Sequence, residues 1–274
     1  MSQILQVRNL SKTFHTGPFY RRRTIQAVKG VSFSIEAGKT YGLVGESGSG
    51  KSTVARMVAR LTEPTSGEIA FDGRDVSKLT ARQRFAYRRD VQIIFQDPYS
   101  ALNPRMTVEQ LIAEPMEIHK LHTPRDRQSR VRKLLDQVGL PQSALHRKPI
   151  SFSGGQRQRI MIARALSLEP RLIIGDEPVS ALDVSVQAQV LNLMRDLQDE
   201  LGLSYLFISH DLSVVEFLSD TVGVMYLGDL IEEGTKQSIY RTPQQDYTRK
   251  LISAIPSMDA AQPQSTKAQT GSTL

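Results

Sequence analysis

An α/β fold is predicted: a parallel sheet built around a phosphate-binding loop, with a small antiparallel β layer, an inserted helical lobe and a short C-terminal extension. Three observations predict it. The stretch Gly45-Glu46-Ser47-Gly48-Ser49-Gly50-Lys51-Ser52 has the spacing G-x-x-x-x-G-K-[ST], between the β-prone run Thr40–Val44 and a helical pattern from Thr53 to Leu61. Short apolar runs recur downstream, and several end in a polar or charged residue, as strands of an open sheet do where ligands bind. Alternating segments ahead of the loop, Ile4 to Val7 and Val31 to Ile35, suggest a β layer beside the nucleotide-binding layer.

Composition narrows the classes. A chain of 274 residues with 39% apolar content suits one large domain, or a main domain with a small appendage. No apolar run approaches the roughly 20 residues that span a bilayer. Met1 to Gln6 does not read as a signal peptide, so a cytoplasmic location is expected. With no cysteine, disulfides, thiolate metal sites and iron–sulfur clusters are excluded. The formal charge of +7 raises nucleic acid or an anionic membrane as partners, but the arginines are scattered, which favours a solvated basic face.

In chain order, Ile4 to Val7 reads as an edge strand and His15 to Arg23 as a polar turn-rich segment. An aromatic from this region is expected to stack on a base, with Phe14 the candidate and Tyr20 the reserve. The glycines of 45–52 let backbone N–H groups turn inward around polyphosphate oxygens, and the helix that opens at Thr53 adds partial positive charge. Lys51 can reach the β- and γ-phosphates, and the Ser52 hydroxyl can ligate Mg²⁺. Ser66 to Gly73 reads as strand and turn, and Thr80 to Arg89 as an arginine-rich helix. Val91 to Phe95 reads as a buried strand ending at Gln96, whose amide can ligate Mg²⁺ or hold an attacking water. Met106 to Asp136 is helical, broken near Pro115 and Pro124, and forms the inserted lobe.

Ser153-Gly154-Gly155-Gln156 is a second glycine turn at a helix start, and so a second anion site, although a helix cap with a tight turn explains Ser153 and Gly154 equally well. Leu172 to Asp176 is a short strand ending in the pair Asp176-Glu177. Strand alternation divides their labour: Asp176 holds Mg²⁺ and Glu177 polarises the attacking water. An amphipathic helix follows from Val186 to Leu201, then a strand from Tyr205 to Ser209 ending at His210, which can hydrogen-bond a γ-phosphate. Val222 to Leu227 reads as the last strand, Ile239 to Ile255 as a short basic piece, and 257–274 as a Ser/Thr/Gln/Ala-rich tail expected to be disordered.

Taken in this order, the motifs resemble the ATP-binding subunit of ABC transporters over residues 4 to 256. Gly45 to Ser52 is similar to the Walker A motif, Gln96 to the Q-loop and Ser153 to Gln156 to the signature. Leu172 to Glu177 is similar to Walker B with its glutamate, Ser180 to Asp183 to the D-loop, and His210 to the switch histidine. Phe152, the run Gln96 to Pro104, the run Glu177 to Ser185 and the segment Asp246 to Pro256 resemble the oligopeptide/dipeptide/nickel importer group. The absence of cysteine resembles that group's cluster-free subunit; a departure is Gln245-Asp246 where a His-Pro pair is common.

The resemblance implies a P-loop NTPase core at 1–256, with a helical subdomain at about 97–165, a C-terminal extension at 228–256 and the tail at 257–274. It implies an ATPase that binds ATP through 45–53, Phe14 and 153–156. Glu177, His210 and Gln96 would be catalytic, and Ser52, Gln96 and Asp176 would hold Mg²⁺. Partners implied are a second, non-identical cassette, two membrane permeases and an extracytoplasmic binding protein, at the cytoplasmic face of the membrane. Peptides are the expected cargo, with metal chelates or oligosaccharides as alternatives, and the cargo would not touch this chain. A soluble ATPase acting on nucleic acid is disfavoured, because there is one Walker A and no sustained heptads lie between Ser52 and Ser153.

Overall fold

The computed structural model describes residues 2–16 and 23–254. Two sheets lie at its centre. One is antiparallel, in the order β2-β1-β4-β5, from β1 (Gln3–Thr16), β2 (Arg23–Glu36), β4 (Ser66–Phe71) and β5 (Arg74–Asp75). The other has the order β10-β9-β3-β8-β7-β6. It contains β3 (Thr40–Val44), β6 (Val91–Ile94), β7 (Leu172–Asp176), β8 (Ser204–Ser209), β9 (Thr221–Tyr226) and β10 (Asp229–Thr235). All of its neighbouring pairs are parallel except β9–β10.

The parallel strands are apolar almost throughout because both faces are covered. Alternation sends Leu172, Ile174, Leu206 and Ile208 to a core shared with the antiparallel sheet and with Val54, Met57 and Val58 of α1 (Lys51–Val58). Their neighbours Ile173, Tyr205 and Phe207 join a second core. That core is filled by α4 (Val108–Ile118), α5 (Pro124–Gln137), α6 (Gly154–Leu166), α7 (Val184–Leu201) and α8 (Leu212–Leu218). The remaining helices are α2 (Ala81–Asp90), α3 (Pro98–Ala101), α9 (Lys236–Arg241) and α10 (Asp246–Ser253). Among the described residues, no helix is long and apolar enough to cross a membrane.

Several expectations are corrected. β1 is no edge strand, since it pairs with β2 on one side and β4 on the other. β6 occupies the edge of the six-stranded sheet, and Phe95 beyond it is exposed. Pro115 lies inside α4 without breaking it. A Thr107–Gln110 capping box and the burial of Val108, Leu111, Ile112, Ala113 and Met116 hold the helix. At roughly 1.5–3 kcal/mol per large apolar side chain, that burial outweighs the proline cost of about 3 kcal/mol. Nor does the sheet end at β9: Leu227 (φ 46°) and Gly228 (φ 93°) make a two-residue hairpin of the type I′ kind into β10. The sequence of β10, with Asp229, Glu232 and Glu233, shows no apolar alternation to announce it.

Candidate active site

A cavity of about 640 Å³ opens at the carboxyl ends of β3, β6, β7 and β8, where ligands sit in open α/β sheets. Its floor is the loop after β3, contributing 45–48 and 50–53. Gln96 reaches it from beyond β6, Glu177 from beyond β7 and His210 from beyond β8. Ala27 of β2 and Leu251 of α10 complete the wall.

The loop requires glycine at two points, each against a different strand's carbonyl. Gly45 lies at φ 148°, and a Cβ there would stand 2.2 Å from the Met225 carbonyl oxygen. Gly50 lies at φ 107°, with the Ala27 carbonyl oxygen 2.3 Å from where a Cβ would be. A side chain at either position would push the loop off the strands that support it.

Lys51 is 4% exposed. Its Nζ donates to the carbonyl oxygens of Gly45 (2.7 Å) and Glu46 (2.8 Å), with Ser49 Oγ at 3.4 Å. Burial pushes its pKa down, against the opposing charges of Glu177, Asp176 and Glu46. The Ser52 hydroxyl donates to Asp176 Oδ1 at 2.7 Å. Burial raises the Asp176 carboxyl above its ordinary range despite the Ser52 bond and the positive charge of Arg56. The Ser52 hydroxyl and the Asp176 carboxylate are hard oxygen donors side by side, and would suit a Mg²⁺. Among the described residues there is no group of three or more His, Asp or Glu that could hold an ion by itself.

Glu177 does not continue the strand. Its φ of 52° turns the chain, and its N–H donates to the Ile208 carbonyl at 2.9 Å. The turned side chain brings Oε2 to 3.0 Å from His210 Nδ1, while Asp176 points to Ser52. The two carboxylates therefore diverge, as alternation suggests, although a left-handed residue rather than the pleat aims the second.

Not every candidate converges here. Ser153 is the N-cap of α6: its Oγ accepts from the Gln156 N–H, and the Gln156 side chain accepts from the Ser153 N–H. A Cβ on Gly155 would lie 2.3 Å from Val186 Cγ1, so this glycine lets α6 approach the start of α7. A Cβ on Gly154 would lie 3.2 Å from Leu182 Cδ2. None of 153–156 lines the cavity. Phe14 sits on β1 opposite Ile25, half-exposed, with Lys12 Nζ 5.1 Å from its ring centroid, and is also outside the cavity lining. Tyr20 lies outside the described residues. Ser49 is buried behind the loop.

Sequence reasoning missed Ala27, Leu251 and Tyr247 of α10, whose hydroxyl accepts from the Glu46 N–H at 3.2 Å. It also missed Arg157, which stacks on Tyr99 (4.0 Å) and donates to the carbonyl oxygens of Pro149 and Ile150, tying α3 to the turn before α6. For Tyr247 and Leu251 the importer-like segment Asp246 to Pro256 and their i, i+4 spacing were the available signals.

A profile of the ABC transporter family matches residues 28–180. The oligopeptide transport ATP-binding protein AppF of Bacillus subtilis is 53% identical over 257 residues, covering 92% of this chain and 78% of that one. The oligopeptide transport ATP-binding protein OppF of Streptococcus mutans is 50% identical over 258 residues, covering 94% and 83%. Among solved structures, the dimeric post-hydrolysis ATP-binding cassette MJ0796 bound to ADP and Pi superposes with a TM-score of 0.75 at 30% identity, covering 85% of this chain and 98% of that one. A phosphate loop between strand and helix, carboxylates and a histidine at the strand ends, and these likenesses along nearly the whole length lead to one conclusion: the chain belongs to the ABC transporter family.

Proposed function

We propose that this ABC-family ATPase binds ATP in the cavity over Lys51 and hydrolyses it to drive peptide uptake across the cytoplasmic membrane. The observation that carries the reading is the convergence of Lys51, the Ser52–Asp176 pair and the Glu177–His210 pair on one cavity. Lys51 and the loop amides hold the polyphosphate, and Ser52, Asp176 and Gln96 would hold Mg²⁺. The ion, when bound, neutralises charge on the transferring phosphoryl group. Glu177 orients and polarises the attacking water, and His210, bonded to Glu177, reaches toward the γ-phosphate end.

Ser153 to Gln156 lie away from their own chain's cavity, which supports a role in completing the site of a second cassette docked head to tail. Beside the edge strand β6, a groove of about 300 Å³ between β6, α4 and α6 exposes Phe95 and Ile118, with half-buried His119 and with Arg88 and Arg164 at its rim. An apolar groove with a basic rim suits a cytoplasmic helix of a membrane permease subunit. The chain then works peripherally, with two permeases and an extracytoplasmic binding protein. The peptide class of cargo is supported by the names of AppF and OppF.

The test is uptake of a labelled tripeptide by cells whose chromosomal copy carries Glu177→Gln. Peptide uptake should fall to background while uptake of nickel and of oligosaccharide is unchanged. Unaltered peptide uptake would refute the assignment.

A further inference from the structure

Helix α10 lies 201 residues downstream of the phosphate loop and yet touches it. Its placement is firm. Glu232 of β10 accepts the N–H groups of Gln244 (2.7 Å) and Gln245 (3.1 Å) at the start of the helix. Although burial works the other way, these bonds hold the Glu232 carboxyl below its ordinary value. Tyr247 packs its ring on Tyr226, with centroids 4.3 Å apart. One turn later, on the same face, Leu251 joins the cavity wall.

The Tyr247 hydroxyl receives the N–H of Glu46. That N–H belongs to the same planar peptide as the Gly45 carbonyl, and in a trans peptide the two point in opposite directions. The Gly45 carbonyl in turn accepts the shorter of two bonds from the Lys51 ammonium, at 2.7 Å. One peptide unit is therefore held at both ends, by a hydroxyl from α10 and by the lysine. Without a hold on its N–H, this unit would turn easily, because Gly45 at φ 148° has no side chain to resist. An ammonium has three protons. Two lie on the carbonyls of Gly45 and Glu46, and the third is engaged only loosely, 3.4 Å from Ser49 Oγ. The pair of carbonyls thus sets the direction in which the remaining proton is offered.

We propose that Tyr247 is a positioning residue for the phosphate loop: its hydroxyl fixes the Gly45–Glu46 peptide so that the loop carbonyls aim Lys51 at the β- and γ-phosphates. Tyr247 acts in this way only if the cavity is a triphosphate site, as proposed above. Burial raises the Tyr247 pKa, so the hydroxyl stays protonated through the physiological range. The C-terminal helix is then part of the loop's support, contributed from beyond the last of the nucleotide-site motifs, at His210.

The experiment uses the full chain and its Tyr247→Phe, Tyr226→Phe and Lys51→Met variants. Dissociation constants for ATP and AMP are measured by competition with a fluorescent nucleotide, and amide exchange at Glu46 is followed by NMR. Tyr247→Phe keeps the ring against Tyr226 and removes one hydrogen bond, so ATP should bind about threefold to tenfold more weakly. AMP, which lacks the phosphates that Lys51 meets, should bind as before. Glu46 should exchange faster while the α10 amides stay protected, and Tyr226→Phe should match wild type in every measurement. An unchanged ATP constant in Tyr247→Phe overturns the proposal whatever the exchange rates. So does equal weakening of ATP and AMP, or loss of protection along α10, since either marks a general structural role. If Lys51→Met binds ATP like wild type, the triphosphate reading itself falls, and the role of Tyr247 with it.

Discussion

Replacing Glu177 by glutamine should separate nucleotide binding from turnover. The side chain is 15% exposed, and its Oε2 lies 3.0 Å from His210 Nδ1. A glutamine amide has the same length and fills the same space, and either face of it can meet the imidazole. What disappears is the negative charge, in a pocket where solvent replaces it poorly. Loss of a positioned general base lowers rates by about 10²- to 10⁴-fold, which is about 3–5 kcal/mol on the barrier at 1.36 kcal/mol per decade. Affinity moves in the other direction, if at all: one less anion faces the polyphosphate, so ATP should bind as tightly as before or more tightly. The fold should be untouched, because the change removes no packing; a substitution worth under about 0.5 kcal/mol moves the melting temperature by about 2 °C or less. Phosphate release at saturating ATP, with a binding titration and a thermal melt on the same preparation, reads all three quantities. A fall in kcat of less than about tenfold with affinity and melting temperature preserved would show that Glu177 does not polarise the attacking water.

Lys51→Met should weaken ATP by roughly 10- to 150-fold, the worth of one charge-assisted hydrogen-bond set, as measured by isothermal titration. Asp176→Asn should be more stable than wild type at pH 7.5. Burial raises this carboxyl above its ordinary value of 3.8, so the ionised folded state is penalised above the raised pKa, and the penalty fades as pH falls through that value and is gone below 3.8. Melting curves from pH 7.5 down to pH 3.5 should show the advantage of Asp176→Asn shrinking; a constant difference would refute the linkage. Gly155→Ala should lower the melting temperature by several degrees, because its Cβ would stand 2.3 Å from Val186 Cγ1, and overpacking of this kind costs about 1–3 kcal/mol. An unchanged melt would mean that α6 and α7 move apart freely.

The features legible in the sequence are those whose cause is local. A glycine loop between strand and helix states its purpose within about a dozen residues, and a polar side chain ending an apolar run, such as Gln96, Glu177 or His210, marks the ligand-binding edge of the sheet. What escaped depends on contacts between distant parts of the chain. β10 carries Asp229, Glu232 and Glu233 and is a strand because β9 offers it an edge, not because its own pattern demands one. β1 is flanked on both sides only because β4 returns to it from 50 or more residues away. Pro115 is tolerated because five neighbours on α4 are buried. Gly155 looks like an anion-binding glycine in isolation, and only the approach of Val186 reveals its packing role.

The same division separates the site from its support. Lys51 and Asp176 are both driven by burial toward their neutral forms, so each opposes the folded state at neutral pH. A sequence reader finds such residues because they violate the patterns that build a core. The groups that hold them in place obey those patterns and pass as ordinary structure. Tyr247 stands out only as one residue of the importer-like segment Asp246 to Pro256, and Glu232 as a solvated carboxylate on an edge strand, whereas the loop spacing announces Gly45. Together they fix a single peptide group behind the lysine, so the substitutions most informative about this site are conservative ones at positions that look structural.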